Sequence, residues 1–589
     1  TLTALACVSM TASAVNYVPG IYTAKINGHN AEMTVQVITS KHRIESIDYS
    51  QNLETIGVGR LALDKVASKI LKKQSLGVDN ITGASITSMA LKSAVEQCLE
   101  QAKVSEKDLE KLQKNVEKYA KKPATVNTEV VIVGGGGSGL VAAMAAQQAG
   151  AKVIVLEKLG FFGGSTNVSE GAFNCADPER QGPAGIEDSV QKHYDQTMKG
   201  GHNKGNPALV RHLCENGLDT LHWVENIGVN FKPVVGTATG ALWQRSHYTV
   251  TPSGNSYIRV YEKYLRSKKS VQLLSDMTVE SIIRGQDGRV TGVVAKDNKT
   301  GKKTTFNASR GVVLCTGGFG ANIPLRQRVN TGVFKGYDLG KAIGCTNFQL
   351  SAQGYGIEMG QKIGANVIGM DDIQVHPCGT PGTGLMEMIR TSGRNRLFIN
   401  TQGKRFVNEG APRDTLAKAI FAQPGATYYV LVNHLRYPAL DWVDANGATV
   451  RNMIKLGRVV AGDTLDDLAK KLNMPAENLK QEVENYNKVV KGEMKDPLGF
   501  QANNKADRVM TEGPWYACKK VPTLHHTMGG LEINTKGQVL DTQGKVIPGL
   551  YAAGETTGGI HGSNRLGGNA IADIHVFGRT AGTSAGKGL

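Results

Sequence analysis

Four consecutive apolar residues, Val130-Val131-Ile132-Val133, run directly into Gly134-x-Gly136-x-x-Gly139. A helical stretch, Leu140–Gln148, follows, and then a second apolar run, Lys152–Leu156, that stops at Glu157. This order restricts the chain more than any other feature. A buried strand, a tight glycine turn, a helix and a parallel strand make a βαβ unit. The glycines allow the sharp turn and the close approach of a pyrophosphate, and the helix N-terminus offers amides to the phosphates. An acidic residue after the second strand is placed to bind ribose hydroxyls. Gly134, Gly136, Gly139 and Glu157 are therefore candidate dinucleotide ligands. Taken alone, the motif leaves NAD and FAD open.

Further glycine loops narrow that choice. Gly163-Gly164-Ser165-Thr166-Asn167, Thr316-Gly317-Gly318 and Ala553-Gly554-Glu555 lie far apart in the chain, and Asn569-Ala570-Ile571 follows a last glycine pair. An extended cofactor that touches separated loops fits FAD better than NAD. Glycine costs conformational entropy and is kept where backbone bends sharply or approaches a ligand. Between residues 523 and 569 the glycines surround His525, His526 and Arg565. A guanidinium gives a two-pronged fork to a carboxylate, so His525 and Arg565 read as an anion grip beside the cofactor. His526 reads as a packing or hydrogen-bonding residue.

With 589 residues the chain has room for three or four domains, and 40% apolar against 20% charged residues is ordinary for a globular protein. No run of 18 apolar residues occurs, so no membrane span is expected. The eight cysteines, Cys7, Cys98, Cys175, Cys214, Cys315, Cys345, Cys378 and Cys518, form no C-x-x-C, which leaves no zinc ribbon and no attached c-type haem. They read as buried thiols, and no metal site is expected. The net charge of +17 suits small anions drawn in by a positive field. Basic residues are dispersed without a basic-aromatic module, so nucleic acid is not expected as a partner. Residues 1–14 are uncharged and end in Ala12-Ser13-Ala14, which reads as the remnant of a secretory signal and implies a periplasmic or otherwise exported protein. The alternative is a plain N-terminal segment, and Cys7 is a poor match to a lipoprotein cleavage site.

The chain divides by pattern. Residues 15–102 alternate in strand-like runs, Ile21–Ile26 and Met33–Ile38, and then give helical stretches Arg60–Gln74 and Met89–Ala102. Residues 103–122 are rich in Lys and Glu with Leu109, Leu112, Val116 and Tyr119 at helical spacing, which predicts an exposed linker helix. Residues 123–367 and 523–589 hold the nucleotide motifs. Residues 368–522 hold none and contain two long helical stretches, 464–472 and 475–491, as an inserted cap would.

The separated glycine motifs, with His525-His526-Thr527-Met528-Gly529-Gly530 and Asn564-Arg565-Leu566-Gly567-Gly568-Asn569, resemble the flavoprotein family of fumarate reductases, succinate dehydrogenases and L-aspartate oxidases. The likeness is greatest to soluble fumarate reductases and urocanate reductases, and it covers roughly residues 128–585. It implies an α/β fold: a Rossmann-type FAD-binding domain with non-covalent FAD and an inserted α+β cap. His525 and Arg565 would clamp one substrate carboxylate. Glu387-x-x-Arg390 and Asn408-Glu409-x-x-x-Arg413-Asp414 match segments in which Arg413 delivers a proton that Glu387 and Arg390 replenish. An arginine acid is chemically awkward, since its pKa exceeds 12, and it needs a very basic acceptor.

His376-Pro377 matches the segment whose His binds the far end of a dicarboxylate. There the chain departs from the family, because Met386 stands where a Thr contacts that far end. The urocanate reductases carry Tyr where this chain has His376. A second departure is Ala352-Gln353-Gly354 in place of Gly-Asp-Gly. Near the N-terminus, Asp79-x-x-Thr82-Gly83-Ala84-Ser85-x-Thr87 resembles the target of flavin transferases, which implies a small α+β FMN-binding domain with FMN in a phosphoester to Ser85.

The resemblance thus implies reduction of a small 2-enoate, fumarate first, with urocanate, acrylate, methacrylate or cinnamate as alternatives. Hydride would come from FAD N5, and FMN would relay electrons from a donor protein such as a cytochrome or a quinol-oxidising partner. An oxidase or dehydrogenase of the aspartate-oxidase type, or a non-catalytic electron-transfer module, are the readings from other classes.

Overall fold

The computed structural model describes residues 15–119, 124–251, 253–386, 389–443, 449–502 and 507–589. The chain forms two compact units, one up to Lys121 and one from Lys122 onward.

In the first unit, β1 (Gly20–Asn27), β2 (Glu32–Thr39) and β3 (Ile44–Gln51) form an antiparallel sheet in the order β1-β2-β3. Ala24 pairs with Val35, and Val37 with Ile47. Along β2 the residues Met33, Val35 and Val37 are buried in alternation, which turns one face of the sheet onto α1 (Gly59–Lys73) and α2 (Ser85–Gln101). Leu63, Val66 and Ile70 of α1 and Leu91, Ala94 and Val95 of α2 are buried in return. The helix expected over 103–122 is only two turns long, α3 (Glu106–Gln113). Ser105 caps it by accepting from the Asp108 amide, Leu109 and Leu112 are buried, and Lys114 turns extended. Beyond it, tertiary partners prevail over helix propagation: the Val116 amide donates to Gly77 O at 3.0 Å, and Glu117 pairs with Lys69 and Lys73.

The second unit is built on an eight-stranded sheet. Its core is β4 (Thr125–Val133) between β5 (Val153–Leu156) and the strand Lys303–Leu314, all parallel, with Val546–Ala552 and Val271–Leu274 outside them. Val131 pairs with Ile154 on one side and Val312 on the other. Val130 to Val133 are buried on both faces, each side chain contributing about 1.5–3 kcal/mol by leaving water. Helix α4 (Gly137–Gln148) covers β4 and packs against the C-terminal helix Asn569–Lys587. The helices approach closely because Gly582 stands against α4, where a Cβ would lie 2.2 Å from Ala142 O.

A second sheet, of five strands, carries the segment between the nucleotide motifs. Its order is Ile373–Gly379, Trp515–Thr527, Tyr428–Asn433 and Leu397–Ile399, with Val459–Gly462 also on Trp515–Thr527. The antiparallel register pairs Gln374 with His526 and His376 with Thr523, and so sets the two histidine segments side by side. Among the described residues no helix is long and apolar enough to cross a membrane. The seven described cysteines are buried free thiols; Cys7, with the rest of residues 1–14, lies outside the described residues.

Candidate active site

A groove runs along the C-terminal ends of the parallel strands. Gly134, Gly136, Glu157, Gly164, Ser165, Thr166, Gly317, Gly318 and Glu555 are among the residues that line it. Gly134 has φ +100°, and a Cβ there would lie 2.3 Å from Cys315 O. On Gly136 a Cβ would meet nothing within 4 Å, so the space beside this amide is free for a ligand. The first turn of α4 has no side-chain cap, which leaves its amides for an anion. These features fit a dinucleotide diphosphate. Gly139 does different work: a Cβ there would lie 1.9 Å from Gly134 O, so it serves helix–strand contact. The Glu157 carboxylate accepts from the Gly135 and Leu159 amides, at 2.7 Å each, while burial pushes its carboxyl up.

Asn569, Ala570 and Ile571 begin the C-terminal helix, apart from the residues that line this groove. The Asn569 side chain is engaged by Asn174, His193 and Thr197. Ala352 lines the groove, and Gly354 behind it takes φ +81° as the cap of the next helix.

Four cationic or polar residues from distant segments come together, with the Glu555 charge acting on one of them, Arg565. Arg413 opens the helix Arg413–Phe421, His376 lies on Ile373–Gly379, His525 on Trp515–Thr527 and Arg565 on the glycine loop. Gln374 organises them. Its Oε1 accepts from Arg413 Nη1 at 2.8 Å, and its Nε2 donates to Arg565 O at 2.7 Å. Arg413 Nε donates to Thr239 O at 2.8 Å. The His376 and His525 rings lie 4.7 Å apart, and Thr346 Oγ1 fixes the second ring at Nδ1, 2.8 Å away. His376 Nδ1 accepts from the Cys378 amide, so its neutral ring carries the proton on Nε2.

The electrostatics point one way. Burial pushes both His376 and His525 well below the usual imidazole range, helped at His376 by the neighbouring guanidiniums and at His525 by the His376 ring and then those guanidiniums, so both rings are neutral near pH 7. Burial and Arg565 push Arg413 down as well, and burial brings Arg565 to about 10 against the pull of Glu555 and Asp573. Arg565 Nε and His376 Nε2 are buried with no partner. Buried donors left unpaired beside crowded cations are costly, and a bound carboxylate removes that cost.

Arg390 is buried nearby and is one of the groups that depress His376. Glu387 lies outside the described residues. His526 sits 5.4 Å from the His561 ring and 3.9 Å from Glu555.

Gln374, Thr346, Thr239 and Glu170 escaped the sequence reading. Glu170 accepts from Ser392 at 2.6 Å and acts on Arg413 through its charge. Gln374 alone had a signal: it precedes His376 by two residues on a strand, hence on the same face. Thr346 meets His525 across a separation that no local pattern reveals.

A nucleotide groove lined by Glu555, whose charge acts on the buried Arg565, fits a dinucleotide-dependent oxidoreductase. Residues 129–571 match the family described as "FAD binding domain", and residues 28–100 match "FMN-binding domain". The chain is 34% identical to the urocanate reductase of Eggerthella lenta, over 96% of this chain and 92% of that one. It is 32% identical to the NADH:fumarate oxidoreductase of Klebsiella pneumoniae and to the NADH:acrylate oxidoreductase of Vibrio harveyi, over 97% of this chain in both cases. The chain spans only 58% and 61% of those two longer relatives. A flavocytochrome c3 fumarate reductase, solved in an open conformation, superposes with a TM-score of 0.62 at 34% identity over 78% of each chain. The chain belongs to the fumarate reductase/succinate dehydrogenase flavoprotein family, in the fumarate and urocanate reductase branch that adds an FMN-binding domain. Its cofactors are FAD and FMN.

Proposed function

We propose that the protein reduces the C=C bond of a small 2-enoate, with fumarate as the simplest substrate. The observation that carries this reading is the buried set Arg413, Arg565, His376 and His525, with unpaired donors on Arg565 and His376. FAD, when bound, supplies the hydride. Arg565 and His525 hold the near carboxylate, and that contact draws electron density away from the alkene. Arg413, held by Gln374 and Thr239, gives the proton to the other alkene carbon. Its depressed pKa brings a guanidinium nearer to the range of a useful acid. Arg390 and Glu387 return the proton.

Ser85 is the attachment point proposed for FMN. It is exposed, opens α2, and follows Gly83 at φ +99°, with no side chain capping the turn. A phosphate ester is tolerated there by the helix dipole. A one-electron donor protein then feeds FMN.

One observation favours a second substrate class. Met386 offers no donor to a far carboxylate, so a monocarboxylic enoate with an apolar or aromatic tail fits the same grip. The test is to mix the photoreduced enzyme anaerobically with fumarate, urocanate, acrylate, methacrylate and cinnamate and to follow reoxidation of the bleached flavin. Reoxidation by at least one enoate is expected. If none reoxidises it while an amino acid bleaches the oxidised flavin and yields peroxide in air, the oxidase reading replaces this one.

A further inference from the structure

The helix Val190–Gly200 ends in a turn, Gly201–Lys204, that is tied to three parts of the site. On one side it joins the clamp loop: the Ser563 amide donates to Gly201 O at 3.0 Å, and Asn564 Nδ2 donates to Gly200 O at 3.1 Å. On the other side His202 Nε2 lies 3.4 Å from Asp414 Oδ2, and Lys204 Nζ lies 3.0 Å from Asp372 Oδ1. Asp414 follows Arg413, and Asp372 immediately precedes the strand that carries Gln374 and His376. The His202 ring also reaches back, with Nδ1 2.7 Å from Ser563 Oγ. One imidazole therefore spans the residue after Arg413 and a residue two before Arg565.

The backbone pays for this geometry. His202 and Asn203 both take φ +57°, a region that favours glycine, and such strain persists where the surroundings impose it. Ion pairs at a surface usually contribute little. These two contacts differ because only the His202 and Lys204 side chains are half exposed, at 47% and 50%, against 11% and 8% for the carboxylates. Asp414 Oδ1 already lacks a partner. Removing Lys204 strands the buried Asp372 carboxylate, the costly half of a broken pair, and removing the His202 ring takes away the neighbour of Asp414 Oδ2.

We infer that His202 and Lys204 are positioning residues, a two-point clasp that fixes the segments bearing Arg413 and His376 relative to Arg565. Their effect on turnover rests on the enoate-reductase reading; the clasp itself does not. The test uses the full chain loaded with both flavins. In His202→Ala/Lys204→Ala, hydrogen exchange without substrate should rise several-fold in residues 372–379 and 413–421, with the FAD absorbance unchanged. With an accepted enoate, kcat/KM should fall on the order of ten- to hundredfold, as expected when a reacting group is misplaced. Lys204→Arg should keep the protection. Lys204→Asp and Asp372→Lys should each lose it, and the charge-swapped pair should regain it. Unchanged exchange in both segments, or a charge-swapped pair no better protected than either single variant, overturns the clasp. Absence of any enoate turnover would sink the reading of the site but leave the exchange result to decide the clasp.

Discussion

Ser85 and Arg565, the residues proposed to hold FMN and the substrate carboxylate, sit in opposite surroundings. Ser85 is exposed at the start of a helix, and everything proposed for it lies within a few residues: a glycine turn, a hydroxyl and a helix end. Arg565 is buried, with 3% of its surface exposed, and its surroundings come from segments around residues 374, 413, 525 and 555. A covalent tether needs accessibility for a transferase and little else. A catalytic grip needs desolvation, because a hydrogen bond or ion pair strengthens where water is excluded. A local tether of the kind proposed at Ser85 would tolerate change around it, while a buried grip at Arg565 would depend on residues such as Gln374 and Thr346 that hold its members in place.

That contrast can be broken at several points. The largest effect is expected at Arg413. Arg413→Ala should lower kcat by about 10²–10⁴-fold, the range for a general acid. Absorbance and mass should show both flavins retained. Near-normal turnover would remove Arg413 from the proton path. Ser85→Ala should abolish covalent FMN, read as the loss of its mass increment on the intact chain, while FAD reduced by a small artificial donor still turns over. An FMN increment that survives the substitution places the tether elsewhere.

Arg565→Lys keeps the charge and loses the fork. A drop of about ten- to hundredfold in kcat/KM is expected, with kcat less affected than KM if the grip serves mainly to bind. Glu555 gives a pH signature. Burial raises its carboxyl to about 7 against the pull of the Thr527 amide. A carboxyl raised on folding contributes stability below its unfolded pKa near 4.5 and loses it as pH climbs to about 7. The flavin-free protein should therefore lose roughly 3 kcal/mol of relative stability across that window. Glu555→Gln should flatten this dependence in denaturant unfolding measured at several pH values; an unaltered slope would show that another group titrates. The smallest effect is expected at Thr346→Val, which frees the His525 ring and should cost about 1 kcal/mol, a few-fold in kcat/KM, with flavin content unchanged.

Much of the architecture was legible because it is local. The run Val130–Val133, the glycines after it and the helix from Gly137 obey short-range rules of turn geometry and strand burial, and the two long cap helices at 465–472 and 476–491 were plain from periodicity. The segment after Gln113 was not. Its apolar spacing favours helix, yet Lys114 turns extended, Glu117 is captured by Lys69 and Lys73, and residues 115–119 form no helix. Propensity amounts to tenths of a kcal/mol per residue, and two ion pairs with a backbone bond outweigh it.

By itself, the sequence determined the two flavin domains and the βαβ unit around the nucleotide motif, and it put forward the residues proposed for the grip. The tertiary structure alone decided what makes those residues act together: Gln374 bridging Arg413 to Arg565, Thr346 orienting His525, and the turn at His202 reaching both sides. The reason is physical. Side chains joined across tens to hundreds of residues leave no periodic trace, and a pKa is set by what surrounds a group in space, not by its neighbours in the chain.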